Sequence, residues 1–77
     1  MAREPRSVDI VAEMAANVMK VVVSPGEQVT SGDTVVLLES MKMEIPVLTE
    51  QAGTISAVKV GEGDVVQEGD VLVTIAL

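Results

Sequence analysis

The sequence predicts an all-β fold, and three observations carry that expectation. Sixteen of its 77 residues are valine and four are isoleucine, side chains whose branched Cβ suits a pleated sheet better than a helix. Glycine and proline recur between the valine runs, as the turns of a short-stranded fold require. The halves also repeat. Shifting the chain by 37 positions lays residues 4–40 over residues 41–77 with nine identities: Glu13/Glu50, Ala15/Ala52, Val21/Val58, Val23/Val60, Gly26/Gly63, Val29/Val66, Gly32/Gly69, Asp33/Asp70 and Val36/Val73. Conservative pairs such as Val8/Ile45, Ile10/Val47, Val18/Ile55, Glu27/Asp64 and Leu38/Ile75 fill in around them. Two copies are too few for a solenoid. They predict a sandwich or flattened barrel with a pseudo-twofold axis.

Each element has its counterpart. Residues 8–12 and 43–48 read as extended segments, followed by short connections at Glu13-Met14-Ala15-Ala16 and Glu50-Gln51-Ala52-Gly53. Strands are expected at about 17–23 and 54–60, where the apolar positions Val18, Val21, Val23 and Ile55, Val58, Val60 are spaced three and then two apart. A regular strand alternates by two, so the extra residue predicts a β-bulge in each copy. Turns follow at Ser24-Pro25-Gly26-Glu27 and Gly61-Glu62-Gly63-Asp64, then short strands around Val29 and Val66. Second turns at Ser31-Gly32-Asp33 and Glu68-Gly69-Asp70 lead into final strands over 34–39 and 71–76. Pro46 has no N–H, which places it on an edge or at a solvent-facing ladder position.

Composition bounds the function. A chain this short is one small domain that buries only about 60% of its unfolded surface. It has neither cysteine nor histidine, so no disulfide or zinc cluster supplements the core. A net charge of −7 with five basic residues and no aromatic ring argues against nucleic acid, which needs phosphate neutralisation and base stacking. The N-terminal residues lack a signal-peptide core and no segment has the length of a bilayer span. No membrane association and a cytoplasmic location are therefore expected. The acidic residues Glu27, Asp33, Glu62, Asp64, Glu68 and Asp70 alternate with glycine, a turn pattern and not a metal site. Lys20 and Lys59 are expected within strands, facing solvent.

One stretch stands apart. Glu39-Ser40-Met41-Lys42-Met43-Glu44 interrupts two apolar runs, Val35-Val36-Leu37-Leu38 and Ile45-Pro46-Val47-Leu48. It contains no Asn-Gly or Asp-Gly for a routine two-residue hairpin. It is also the one covalent junction between the copies. If the last strand of the first copy pairs with the first strand of the second, symmetry pairs strand 71–76 with strand 8–12. Both termini then lie at one end and Lys42 at the other. On a strand, Met41 and Met43 would point to one side, opposite Lys42, either covering the barrel end or forming a soft recognition surface.

These residues resemble the biotinyl/lipoyl carrier domain family, in particular its small free-standing attachment proteins. Glu39-Ser40-Met41-Lys42-Met43 is similar to the family's Glu-Ala-Met-Lys-Met, with Ser40 in place of alanine. Support comes from Gly26-Glu27-Gln28-Val29, Gly32-Asp33, Ala52-Gly53-Thr54-Ile55, Glu62-Gly63-Asp64-Val65-Val66 and Gly69-Asp70. The chain departs from the family's Pro-Met-x-Gly-x-Val at Glu13-Met14-Ala15-Ala16-Asn17-Val18, and no thumb insertion separates Val18 from Val29. No Ala/Pro-rich linker precedes residue 8, which leads us to expect a complete small protein: a tail over 1–7 and a carrier domain over 8–77.

The resemblance implies a flattened barrel, or barrel-sandwich hybrid, of two four-stranded antiparallel sheets. It further implies a monomeric, non-catalytic carrier with biotin joined by an amide to Lys42. Met41 and Met43 would assist recognition, with Glu39, Ser40 and Glu44 as the motif's context. The implied partners are a biotin protein ligase, then the biotin carboxylase and carboxyltransferase components to which carboxybiotin is carried. An ordinary lysine amine is protonated at neutral pH, so such a residue accepts an acyl group activated elsewhere. Two alternatives remain. A lipoyl carrier would share the tip lysine, but its usual Asp-before and Ala-after flanks are missing here. The other is a hairpin that binds partners without any modification.

Overall fold

A computed structural model describes residues 6–77. Eight strands follow in order: β1 (Ser7–Val11), β2 (Ala16–Val21), β3 (Gln28–Val29), β4 (Thr34–Ser40), β5 (Met43–Leu48), β6 (Gly53–Val58), β7 (Val65–Val66) and β8 (Val71–Ala76). They form two four-stranded sheets of order β1-β8-β6-β3 and β5-β4-β2-β7, and every pairing is antiparallel. The all-β expectation holds, with no helix among the described residues. Adding 37 to the bounds of β2 and β3 gives those of β6 and β7, and the second sheet order is the first with each strand replaced by its counterpart.

The core forms where branched side chains from both sheets meet. Val18, Val35, Val36, Leu38, Ile55, Val66, Leu72, Val73 and Ile75 are all buried. Val35 and Val36 are adjacent, as are Leu72 and Val73, which strict alternation would forbid. Register shifts resolve this. Opposite β5 the pairing jumps from Thr34 to Val36, and opposite β1 it jumps from Val71 to Val73. Val35 and Leu72 are thus extra residues that the bulges turn inward. The bulges expected from the three-then-two spacing are also present, with Met19 and Ser56 as the unpaired residues of β2 and β6.

Four turns share one design. Asp or Glu at the last position donates its N–H to the first carbonyl, and its carboxylate accepts the first N–H. The Ser24–Glu27 turn has Glu27 N donating to Ser24 O at 3.1 Å and Ser24 N donating to Glu27 Oε1 at 3.1 Å. Thr30–Asp33, Gly61–Asp64 and Gln67–Asp70 repeat it. The third position is glycine each time, with φ between 90 and 95°, a conformation that costs glycine little. These carboxylates are occupied as turn locks, and among the described residues no group of three acidic, His or Cys side chains could hold a metal.

Some boundaries differ from the sequence reading. Residues 1–5 of the expected tail lie outside the described residues, and Ser7 already belongs to β1. Lys20 is an exposed residue of β2 as expected, but Lys59 follows the end of β6 at Val58. There its N–H reaches the bulge carbonyl of Leu72 at 2.8 Å. Pro46 is on β5, an edge strand.

Connectivity separates the two ends. β2 starts beside Glu39, runs away from the β4–β5 hairpin and leads to β3. β3 pairs with Gly53 and Thr54, and Thr54 lies opposite Ala76. The β4–β5 hairpin therefore ends one pole of the sandwich, and β1 and β8 end the other.

Candidate functional site

The pairing of β4 with β5 continues to Ser40 opposite Met43, so only Met41 and Lys42 make the reversal. Both have positive φ, 53° and 66°. Two left-handed residues in a two-residue loop are what a type I′ turn requires, because its twist matches that of the flanking strands. Asn-Gly usually supplies this. Here two side-chained residues do so at a cost of about 1 kcal/mol each, and the six paired positions behind them hold the turn in place.

This corrects the sequence reading of the methionines. Met41 and Lys42 are turn residues, so strand alternation stops at Ser40 and resumes at Met43. Met41 is 91% exposed and Met43 65% exposed; neither covers the barrel end. Met43 shares its side of β5 with the half-buried Ile45 and Val47, but it stands beyond the end of the core. The tip offers an exposed amine between two exposed thioethers. None of the side-chain hydrogen bonds among the described residues involves Lys42.

Register also assembles the surroundings. Glu44 lies opposite Glu39, Glu39 opposite Asn17, and Asn17 opposite Val65. Directly opposed residues share a face of an antiparallel sheet, so these four form one row across the outer face. Glu44, Asn17 and Val65 are exposed and Glu39 is half-buried. The half-buried Ser40 is on the other face, paired with Met43. The motif residues Glu39, Ser40, Met41, Lys42, Met43 and Glu44 are thus gathered at one tip, with both carboxylates on one side. Asn17 and Val65 join them from elsewhere in the chain. Sequence reasoning missed both, although the repeat and its hydrogen-bond register hold the needed signal.

The arrangement can present a nucleophilic amine to another protein. Among the described residues no buried side-chain nitrogen or oxygen lacks a hydrogen-bond partner. Nor does any general base approach Lys42 through a hydrogen bond. What the tip supplies is geometry: a paired two-stranded support ending in one exposed lysine.

The sequence profile of a family described as "biotin-requiring enzyme" matches residues 4–75. The biotinylated protein TB7.3 of Mycobacterium tuberculosis is 65% identical over 40 residues, covering 52% of this chain and 56% of that protein. The chain thus spans about half the length of the mycobacterial relatives it matches. Among solved structures, the urea carboxylase of Kluyveromyces lactis contains a segment that superimposes with a TM-score of 0.86 at 27% identity. That match covers 97% of this chain and 7% of the carboxylase. The lipoyl domain of the 2-oxoglutarate dehydrogenase complex of Azotobacter vinelandii matches with a TM-score of 0.68 at 30% identity, over 82% of this chain and 78% of that domain.

Proposed function

The chain belongs to the biotin- and lipoyl-attachment family of biotin-requiring enzymes, and from that premise we propose that it is a biotin carrier modified on Lys42. The observation that carries this reading is the Met41-Lys42 turn, which spends two left-handed side-chained residues to hold one amine clear of the sheets. The 65% identity to a protein named for being biotinylated supports biotin as the group attached.

In this reading a biotin protein ligase brings the acyl group to the tip as an adenylate. The Lys42 nitrogen, having given one proton to solvent, attacks the acyl carbon; the C–N amide bond forms, the bond from the acyl carbon to the phosphate oxygen breaks, AMP leaves and a second proton goes to solvent. The nitrogen that was an ammonium ends as a neutral amide, so one positive charge is lost. When bound, biotin supplies carboxyl-group transfer, and the protein contributes position. Met41 and Met43 give the ligase a polarizable apolar surface on either side of the amine. Glu39 and Glu44 mark one side of the hairpin and so fix its orientation in a partner's site. The likeness to a segment of a carboxylase supports biotin carboxylase and carboxyltransferase components as the places this tip visits.

Lipoate is the second reading, supported by the 30% identity to a lipoyl domain. Intact-mass measurement after co-expression with a biotin ligase, and separately with a lipoate ligase, tests both. We expect a single biotinyl increment in the first case and the unmodified mass in the second. A lipoyl increment alone would replace the reading with the second. No increment in either case would leave an unmodified interaction hairpin.

A further inference from the structure

A second feature lies away from the tip, on the open side of the sandwich. Among the described residues β1 and β5 are each paired with only one neighbour, and a groove of about 410 Å³ runs between these two edges. Its walls are equivalent residues of the two copies, with Val8, Ile10, Ile45 and Val47 half-buried along it. Asp9, Glu13 and Glu50 are exposed beside them, and among the described residues no lysine or arginine lines the groove. It is an apolar channel with an acidic rim.

The two edges are not equivalent. Antiparallel ladders alternate hydrogen-bonded and non-bonded pairs. Leu77 N donates to Arg6 O at 2.9 Å, so Arg6 is in a bonded pair, and alternation puts Val8 and Ile10 in bonded pairs with Ile75 and Val73. Ser7 and Asp9 then turn their N–H and C=O groups away from β8. Counting from the Ser40–Met43 pair that closes the β4–β5 hairpin, Glu44 and Pro46 hold the same outward positions on β5. Pro46 has no N–H to offer there. The β5 edge is interrupted at its centre and the β1 edge is open.

We propose that this groove docks an extended segment of a partner protein, added as a strand to the free edge of β1, with apolar residues alternating with lysine or arginine. Strand addition draws affinity from main-chain hydrogen bonds and specificity from alternate side chains. Here the inward side chains meet Val8, Ile10, Ile45 and Val47, while the cations meet Asp9, Glu13 and Glu50. A second copy of this chain suits the groove poorly, because the same carboxylates would face one another on molecules of net charge −7. Docking along these edges leaves the Met41-Lys42 turn uncovered, so a carrier held here keeps its tip free. The proposal does not depend on whether Lys42 is modified.

The test is a backbone-amide NMR titration of the unmodified chain with a capped nine-residue peptide of alternating valine and lysine. Saturable shifts over residues 7–13 and 45–51, with slowed exchange of the Asp9 amide, are expected. The same peptide with glutamate in place of lysine should leave these amides unmoved. Asp9→Pro copies the residue that β5 carries at the equivalent position and removes both the outward N–H and the carboxylate, which accepts a 2.9 Å hydrogen bond from Thr74 Oγ1; it should weaken binding at least tenfold with the folded spectrum retained. Glu13→Lys with Glu50→Lys, both on exposed side chains, should do the same and serves if Asp9→Pro does not fold. The proposal fails if millimolar peptide moves nothing. It also fails if shifts fall equally on Glu39 and Glu44, or if the charge variant binds as tightly as the parent. Concentration-dependent shifts at these residues without peptide would assign the groove to a second copy instead.

Discussion

The two poles of the sandwich share one scaffold and differ in what closes it. At one pole Ser40 pairs with Met43 and two further residues reverse the chain. At the other, the equivalent positions are Leu77 and Arg6, joined by a 2.9 Å hydrogen bond from Leu77 N to Arg6 O. The flanking ladder is built at the terminal pole without a hairpin turn. The sheets therefore do not need Met41 and Lys42, whose side chains are exposed and outside the core. A position to which the fold is indifferent is one where function can choose the residue. The left-handed backbone at Met41 and Lys42 sharpens the point, since a turn selected for stability would use glycine or asparagine.

The strongest way to break this comparison is Lys42→Arg. It keeps the charge and the turn, so stability should stay within about 0.5 kcal/mol of the parent. Modification by a co-expressed ligase should vanish, read by intact mass or avidin binding. Label that persists in Lys42→Arg and disappears in Lys20→Arg would move the acceptor away from the tip.

Next in size is an asymmetry between the poles inside the sheets. Gly53 opens β6 where Ala16 opens β2. A Cβ added to Gly53 would lie 2.5 Å from Ala76 O and 2.6 Å from the Ile75 side chain. Gly53→Ala should therefore destabilise by about 1–3 kcal/mol, as overpacking does, whereas Ala16→Gly should cost about 1 kcal/mol or less. Urea denaturation of both variants measures this. Equal effects would mean the second copy yields at β8 more readily than its close packing suggests.

Orientation at the tip comes third. Exchanging the turn residues, Met41→Lys with Lys42→Met, keeps composition and net charge but moves the amine from the second to the first turn position. Ligation should slow at least tenfold, about 1.4 kcal/mol of transition-state stabilisation, in a single-turnover assay. An unchanged rate would show that the ligase reads the tip without regard to turn position.

Smaller still is the strain itself. Met41→Gly relieves a left-handed methionine but adds freedom to the unfolded chain. The balance should be a gain of about 0.5 kcal/mol, a rise of about 2–4 °C in melting temperature for a domain of this size. A fall in Tm would mean that Met41 contributes packing its 91% exposure does not suggest.

Much of this molecule is legible in one dimension because its interactions are local or repeated. The glycine-acid turns are read directly, since each closes on itself within four residues. The bulges at Met19 and Ser56 show in apolar spacing, because an inserted residue must shift the inward face by one. Pro46 declares an edge through the N–H it lacks. The pairing of β1 with β8 follows from symmetry, once the covalent hairpin supplies one half of the pattern.

The tip was the least readable segment, and the reason is physical. Alternation predicts side-chain direction only while the chain remains a strand, and nothing in Ser40-Met41-Lys42-Met43 marks where the strand stops. The Ser40–Met43 pair marks it, and that pair is held by ladders reaching back to Thr34 and Leu48. The row from Glu44 to Val65 and the groove between β1 and β5 are likewise absent from any local window, because each joins residues tens of positions apart. The amino-acid sequence by itself determined the strand content, the repeat and the lysine at its junction, through turn chemistry and the period of its valines. Tertiary structure alone decided which way that lysine is presented, what stands beside it and which edge stays open, because those depend on how distant strands come into register.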